Sequence, residues 1–365
     1  MSVAATEFDR TMSRPRQLEI DPLLIFAVAS LLLLGVVMVA SASMSVAERE
    51  YGSAFFYLQR HAAHLVVGLL LGLVVLGIPS EWWRAGSPVA LMFAFALLLV
   101  VLLPGVGHEV NGSVRWIRLG PLNLQVSEPA RLLIMIYLCG YLLRHGDAVR
   151  ASLVGFAKPL VVVALACALL LAQPDFGAAT VLLATCLGIM FLAGVRFSHF
   201  LLLFVVAALA LAALALSSDY RIARLKGFLD PWADPFNGGF QLTQSLIAIC
   251  SGHVGGTGLG ASVQKQFYLP EAHTDFVVAV LAEEFGLVGG VTIVVLSAVL
   301  VWRAMLRGAA AQAGSRYFQA LLAGGLGIWF GIQSSVNIGV IMGLLPSKGL
   351  TLPLISYGGS SLVVS

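Results

Sequence analysis

Charge is what this chain has least of: charged residues make up 11% of its 365 positions, against 59% apolar ones. Its apolar residues fall in long runs rather than in the short periodic stretches of a water-soluble core, so a soluble fold is excluded. With a formal net charge of only +3 spread along the whole length, the chain has no basic stripe, which excludes nucleic acid as a partner. Cysteine is equally sparse. Cys139, Cys167, Cys186 and Cys250 lack metal-ligand spacing, the first three sit among apolar neighbours, and they read as buried free thiols. Nucleotide-binding signatures are missing too: the glycine-rich run Ser251 to Gly260 follows no predicted strand and ends in no Gly-Lys-Ser/Thr.

The long apolar runs are present in abundance. A bilayer-spanning helix needs about 20 apolar residues, and the sequence predicts an all-α polytopic membrane protein with ten spans: 22–43, 61–78, 87–104, 130–143, 159–172, 177–194, 199–217, 276–302, 317–342 and 352 onward. The last run stops at Ser365, which predicts an incomplete tenth helix and a further C-terminal piece. Residues 1–21 form a polar arm bearing Arg10, Arg14 and Arg16, and 22–365 read as one transmembrane domain. Ala40-Ser41-Ala42 mimics a cleavage site, yet the first run is too long for a signal peptide and is expected to stay as an anchor.

With the arm in the cytoplasm, barely half of the 21 basic residues lie inside. The rest crowd into two outer loops, 105–129 and 218–275, where topology disfavours them; either they meet an anion or they serve ordinary solvation. In the larger loop, Arg221, Arg224 and Lys226 form a phosphate-sized cluster that is equally suited to lipid headgroups. Phe240 to Ile249 predicts an amphipathic helix lying on the membrane, with Gln241, Gln244 and Ser245 on its polar side. The glycine run beyond it is either a tight turn or a set of amides cradling an oxyanion.

The loop then passes through Glu271, His273 and Asp275 straight into span eight. Asp275 either caps that helix or acts as a general base where water meets the membrane. Roughly 12–14 Å deeper at 1.5 Å per residue, Glu283 and Glu284 are intramembrane carboxylates, functional candidates by default or else hydrogen-bonded within the bundle. Asp175, in Gln173-Pro174-Asp175, either caps the next helix or reaches into a cavity. The smaller outer loop gathers Arg115, Trp116 and Arg118, followed by Glu128 and Arg131 at the start of span four. Lys348 and the run Ser356 to Ser361 flank the last span, where small hydroxyl residues also allow close helix packing.

These residues alone describe an outward-facing polar site suited to an enzyme or a transporter of an anionic lipid. Their order, however, resembles the signature of the SEDS family (shape, elongation, division, sporulation). The matching pieces are Asn111 to Gly120, Gln125 to Arg131, Gln173 to Gly177, Phe228 to Trp232, Gln244 to Ala248, Tyr268 to Phe276, Asn337 to Gly339 and Leu345 to Ser361. The wording of Asp234 to Gln241 and Gln264 to Tyr268 is closer to the cell-division branch than to the elongation branch, while Arg131 and His253 stand where the family usually has Lys and Gly.

The resemblance implies an inverting peptidoglycan glycosyltransferase that polymerises lipid II on the outer face of the bacterial cytoplasmic membrane, at the division septum. It implies Asp275 as the essential acid and Arg115, Arg118, Arg131, Arg221, Arg224, Lys226 and Lys348 as pyrophosphate holders. Glu128 and Asp175 would position cations or a divalent metal, Mg or Mn, with no organic cofactor. Gln244, Lys265, Glu271, His273, Ser356 and Ser360 complete the substrate-binding candidates. The implied partners are a class B penicillin-binding protein, FtsI, with FtsQ, FtsL, FtsB and FtsN as activators. A lipid II flippase, using Glu283 and Glu284 along a polar path, and a noncatalytic divisome scaffold are the competing readings.

Overall fold

The computed structural model describes residues 20–110, 113–119, 122–216, 227–346 and 349–365. Arg221, Arg224, Lys226 and Lys348 lie outside the described residues.

Helices dominate. In chain order they are α1 (Pro22–Tyr51), α2 (Phe56–Gly77), α3 (Ser80–Ala85) and α4 (Ser87–Val100), then α5 (Ser127–Ala151), α6 (Leu153–Ala172), α7 (Phe176–Leu192) and α8 (Phe197–Leu216). α9 (Phe240–Ser251), α10 (Val277–Ala313), α11 (Tyr317–Ile341) and α12 (Gly359–Val364) complete the set. Each of the first nine predicted apolar runs falls on a helix, and the tenth carries only the short α12. Among the described residues six helices, α1, α2, α5, α6, α10 and α11, are long and apolar enough to cross a membrane. Their outward faces stay apolar, with Leu73 on α2 67% exposed, as surfaces that meet lipid rather than water do.

Local chemistry sets the helix ends. α1 begins at Pro22, where a missing N–H costs nothing, and Asp21 caps it by accepting from the Leu24 amide at 3.2 Å. The same carboxylate takes Arg303 Nη2 at 2.7 Å and Arg307 Nε at 2.9 Å from α10, tying the start of α1 to the far end of α10. These arginines, Arg303 foremost, hold the Asp21 carboxyl below the usual carboxylate range.

Two apolar cores form. One gathers α4 to α7 with Trp329 of α11; the other gathers α1, α10, part of α11 and the segment around Leu352 to Ile355. α11 thus stands between them, and this is where the polar residues converge.

Three features depart from the sequence expectation. The connection between α4 and α5 holds a three-stranded antiparallel sheet, β1 (Gly107–Val110), β2 (Ser113–Leu119) and β3 (Leu122–Gln125), in the order β1-β2-β3. Its register pairs His108 with Trp116 and Trp116 with Gln125. Span eight, expected as a plain helix, is broken at Gly286, whose φ of 64° and ψ of −156° no helix adopts. The expected amphipathic helix is present as α9, but Ser245 turns inward and donates to Ile341 O at 3.0 Å instead of sharing a polar face with Gln241 and Gln244.

The break explains the glycine run. Freed backbone groups of α10 pair with the segment that follows α9: Thr257 N and Gly258 N donate to Glu283 O and Glu284 O at 2.9 and 3.0 Å. Leu287 N in turn donates to His253 O at 3.0 Å. The approach is so close that a Cβ on Gly252 would stand 1.9 Å from Ala282 O. With these amides committed to carbonyls, the run is a tight turn against a helix, not an oxyanion cradle.

Candidate active site

Asp275 lies at the end of the large loop, two residues ahead of α10, and the N-cap position falls on Phe276. Its main-chain carbonyl accepts from Asn337 Nδ2 at 2.9 Å, and the same amide reaches Leu350 O at 2.5 Å. One helix position on α11 therefore fixes both the backbone of the acid and that of Leu350. Gly349 sits directly against the carboxylate: a Cβ there would meet Asp275 Oδ2 at 3.2 Å.

Four residues along α11, one turn away on the same face, Gln333 repeats the arrangement. Its amide nitrogen donates to Thr351 O at 2.9 Å, and its oxygen accepts from Arg131 Nη1 and from Trp329 Nε1, both at 2.7 Å. Arg131, only 1% exposed, also reaches Glu128 at 3.3 Å and lies over the Trp329 ring at 5.1 Å. Asn337 and Gln333 thereby join the Asp275 segment to the Arg131–Glu128 pair through residues 349–351.

Arg115 of β2 and Asp175 extend this polar group. They stand 3.8 Å apart, and Asp175 Oδ1 caps α7 through the Ala178 amide at 3.0 Å. Capping and ion pairing coexist in one side chain. Glu128 faces the charge of Asp175, and Glu128 Oε2 and Asp175 Oδ2 are buried with no hydrogen-bond partner, as are the Nε atoms of both arginines. Such atoms in low dielectric are expensive to leave unmatched, which makes the group a candidate site for a polar ligand. Among the described residues no three of His, Cys, Asp and Glu converge as a metal cage. Two carboxylates with free oxygens do suit Mg²⁺ or Mn²⁺ shared with substrate phosphates.

His273 is held beside Asp275. Its ring packs 4.6 Å from Tyr57 and 5.5 Å from Tyr357, and its carbonyl accepts from Tyr357 N at 3.0 Å. Burial lowers its affinity for a proton, against the opposing pull of Glu271 and Glu50. Glu271 is exposed and accepts from Thr274 Oγ1 at 2.8 Å. Ser360 Oγ takes the Gln125 amide at 2.7 Å and donates to Asn123 O at 3.1 Å, fastening the sheet to α12, and Ser356 Oγ accepts from Leu352 N at 2.9 Å. Gln244 is half-buried on α9, and Arg118 on β2 is exposed beside His108.

Lys265 joins a different group. Its ammonium donates to Glu284 Oε1 at 2.7 Å and to Ser41 Oγ at 2.8 Å, inside the bundle. Glu283 accepts from Ser262 Oγ, Val263 N and Gln264 N at 2.5, 2.9 and 3.3 Å. Both intramembrane carboxylates are thus hydrogen-bonded structural partners of the loop. Gln333, Trp329, Ser41 and Tyr57 were not singled out by sequence. Gln333 carried a visible signal, an amide in an otherwise apolar span, whereas Ser41 and Tyr57 carried none.

A family profile described as "Cell cycle protein", covering FtsW, RodA and SpoVE, matches residues 22–365. A relative from Thioalkalivibrio sulfidiphilus, named probable peptidoglycan glycosyltransferase FtsW, is 52% identical over 100% of this chain and 92% of its own. A relative of the same name from Legionella pneumophila is 49% identical over 98% of this chain and 90% of its own. Among solved structures, a chain from a peptidoglycan synthase complex that coordinates polymerization and crosslinking superposes with a TM-score of 0.76 at 31% identity, covering 95% of this chain and 94% of that one. The Thermus thermophilus rod shape determining protein RodA superposes with a TM-score of 0.69 at 30% identity, covering 96% and 94%.

Proposed function

Because the chain belongs to the family of cell cycle proteins that groups FtsW, RodA and SpoVE, we propose that it is an inverting peptidoglycan glycosyltransferase that polymerises lipid II at the division septum. The observation that carries this reading is the placement of Asp275 against Gly349, on a segment tied by Asn337 and Gln333 to the buried Arg131–Glu128 pair. Acid and cation are held in one frame.

In the reaction, the Asp275 carboxylate takes the proton from the 4-hydroxyl of the acceptor sugar. The oxygen attacks the anomeric carbon of the lipid-linked donor from the opposite face, the bond from that carbon to the diphosphate oxygen breaks, and undecaprenyl pyrophosphate leaves with the electron pair. Arg115, Arg118 and Arg131, together with Arg221, Arg224, Lys226 and Lys348, stabilise the charge that develops on the diphosphate. Gln244, Glu271, His273, Ser356 and Ser360 line the approach for the sugars. A divalent cation, Mg²⁺ or Mn²⁺, held by Glu128 and Asp175 would neutralise part of the same charge. Neutral His273, packed between Tyr57 and Tyr357, sets the path of the backbone that presents Asp275.

This reading places the active site on the periplasmic side of the bacterial inner membrane. The structural likeness to a chain of a synthase complex supports a class B penicillin-binding protein partner, here FtsI, with FtsQ, FtsL, FtsB and FtsN as activators. The flippase reading draws less support, because Glu283 and the Oε1 atom of Glu284 are taken up by Ser262, Lys265 and Ser41. The test is polymerisation of lipid II by the purified protein with its partner: wild type builds glycan strands and Asp275→Ala, folded, builds none. Strands made by Asp275→Ala would refute the general-base role.

A further inference from the structure

Lys265 and Glu284 are nineteen positions apart and joined by an ion pair at 2.7 Å, so they tie off a closed stretch of chain that contains Asp275. The knot has a third member. Ser41 of α1 donates its hydroxyl to Glu284 Oε1 at 2.6 Å and accepts from Lys265 at 2.8 Å. Beside it, Glu283 gathers the hydroxyl of Ser262 and two successive loop amides. The lower end of the loop is therefore nailed to α10 about two turns below the point where the same loop re-enters that helix.

From this knot the chain climbs to the site under further restraint. Leu269 N donates to Gln264 O at 2.8 Å, and Phe276 N donates to Glu271 O at 3.3 Å. The Lys265 side chain is 8% exposed, and its charge is matched by Glu284. The adjoining cavity of about 480 Å³ is lined by apolar residues such as Val36, Val37 and Met44 and also by Ser41, Lys265 and Gln266. The ammonium is held by its two partners, Glu284 and Ser41.

We propose that Lys265, Glu284 and Ser41 are positioning residues, a buried staple whose job is to hold the loop so that Asp275 meets the acceptor hydroxyl. The proposal rests on the polymerase reading above and assigns Lys265 no contact with substrate. A buried ion pair replaced whole by apolar side chains is often neutral, whereas removal of one partner leaves an uncompensated charge. Positioning therefore predicts rescue, and substrate contact does not.

The experiment compares Lys265→Met, Glu284→Leu and the double variant in lipid II polymerisation, with melting midpoints recorded for each. Either single substitution is expected to lower kcat about a hundredfold, the scale of a misplaced catalytic group, with KM for lipid II within about twofold of wild type. The double variant is expected to return to within about fivefold of wild type. A double variant that melts like wild type yet stays as inactive as Lys265→Met would overturn the proposal, since the ammonium itself would then be needed. Ser41→Ala removes a hydroxyl and no charge, and it serves should the double variant fail to fold. It is expected to lower kcat with KM unchanged, and a raised KM with kcat intact would overturn the staple. Absence of product from the wild type would refute the polymerase reading instead.

Discussion

Substituting Gly286 by alanine puts the broken helix to its sharpest test. At φ 64° and ψ −156°, Gly286 occupies a region that side chains other than hydrogen essentially never enter, with a strain of about 1–3 kcal/mol. A Cβ at this position would also stand 2.5 Å from Gly256 N and 2.5 Å from Val254 O. Both are backbone atoms held by their own hydrogen bonds, so neither can swing aside, and such overpacking costs about another 1–3 kcal/mol. Together these give about 2–6 kcal/mol, or a fall of about 3–8 °C in melting midpoint for a chain of 365 residues. Thermal unfolding of the purified protein in detergent measures it, and Gly290→Ala supplies the control. That glycine lies one turn farther along α10 with nothing within 4 Å of an added Cβ, so its midpoint should stay within about 1 °C of wild type or rise, because alanine is the better helix former. Equal midpoints for Gly286→Ala and wild type would refute the reasoning.

Three further outcomes are expected. Asp21→Asn should lower the midpoint at neutral pH; since arginine contacts depress the folded pKa of Asp21, that stabilisation is present above the ordinary carboxylate value and is lost as pH falls from there toward the depressed folded value, so the gap between variant and wild type should narrow in strong acid. A gap that widens in acid would contradict the assignment. Arg131→Met strands Glu128 as a buried charge without its cation, and unfolding should show a loss of about 3–5 kcal/mol, an unchanged midpoint being the failing result. Gly349→Ala places a methyl group 3.2 Å from Asp275 Oδ2 at a φ of 60°, and polymerisation should fall about tenfold while the midpoint shifts by only the ~1 kcal/mol of a left-handed alanine; full activity would show that the glycine is not needed beside the acid.

How much of this was legible in the sequence follows from how local each signal is. Long apolar runs announce spans by themselves, so the helices from α1 to α11 coincide with predicted ones, apart from the short α3. Asp175 and Arg115 were found because polar residues beside a membrane segment stand out in any window. Glu283 and Glu284 stood out equally, but their partners did not: Ser41 lies 243 positions from Glu284, and no periodicity links a hydroxyl on the first helix to a carboxylate on the tenth. The β-sheet was missed because its strands are only four, seven and four residues long, too short to show alternation against a background of loop residues. The break in α10 was missed for another reason: Gly286, Gly289 and Gly290 are tolerated in a membrane helix, and only the packing of Val254 and Gly256 reveals which of them bends the chain.

The pairing of residues 253–258 with the backbone of residues 283–288 also constrains how the protein is born. Each half carries amides or carbonyls that hydrocarbon cannot satisfy, at several kcal/mol apiece if unmatched. Neither half can wait in the bilayer for the other. Insertion of α10 around Gly286 is therefore expected to be concerted with entry of the preceding turn, the two moving as one hairpin.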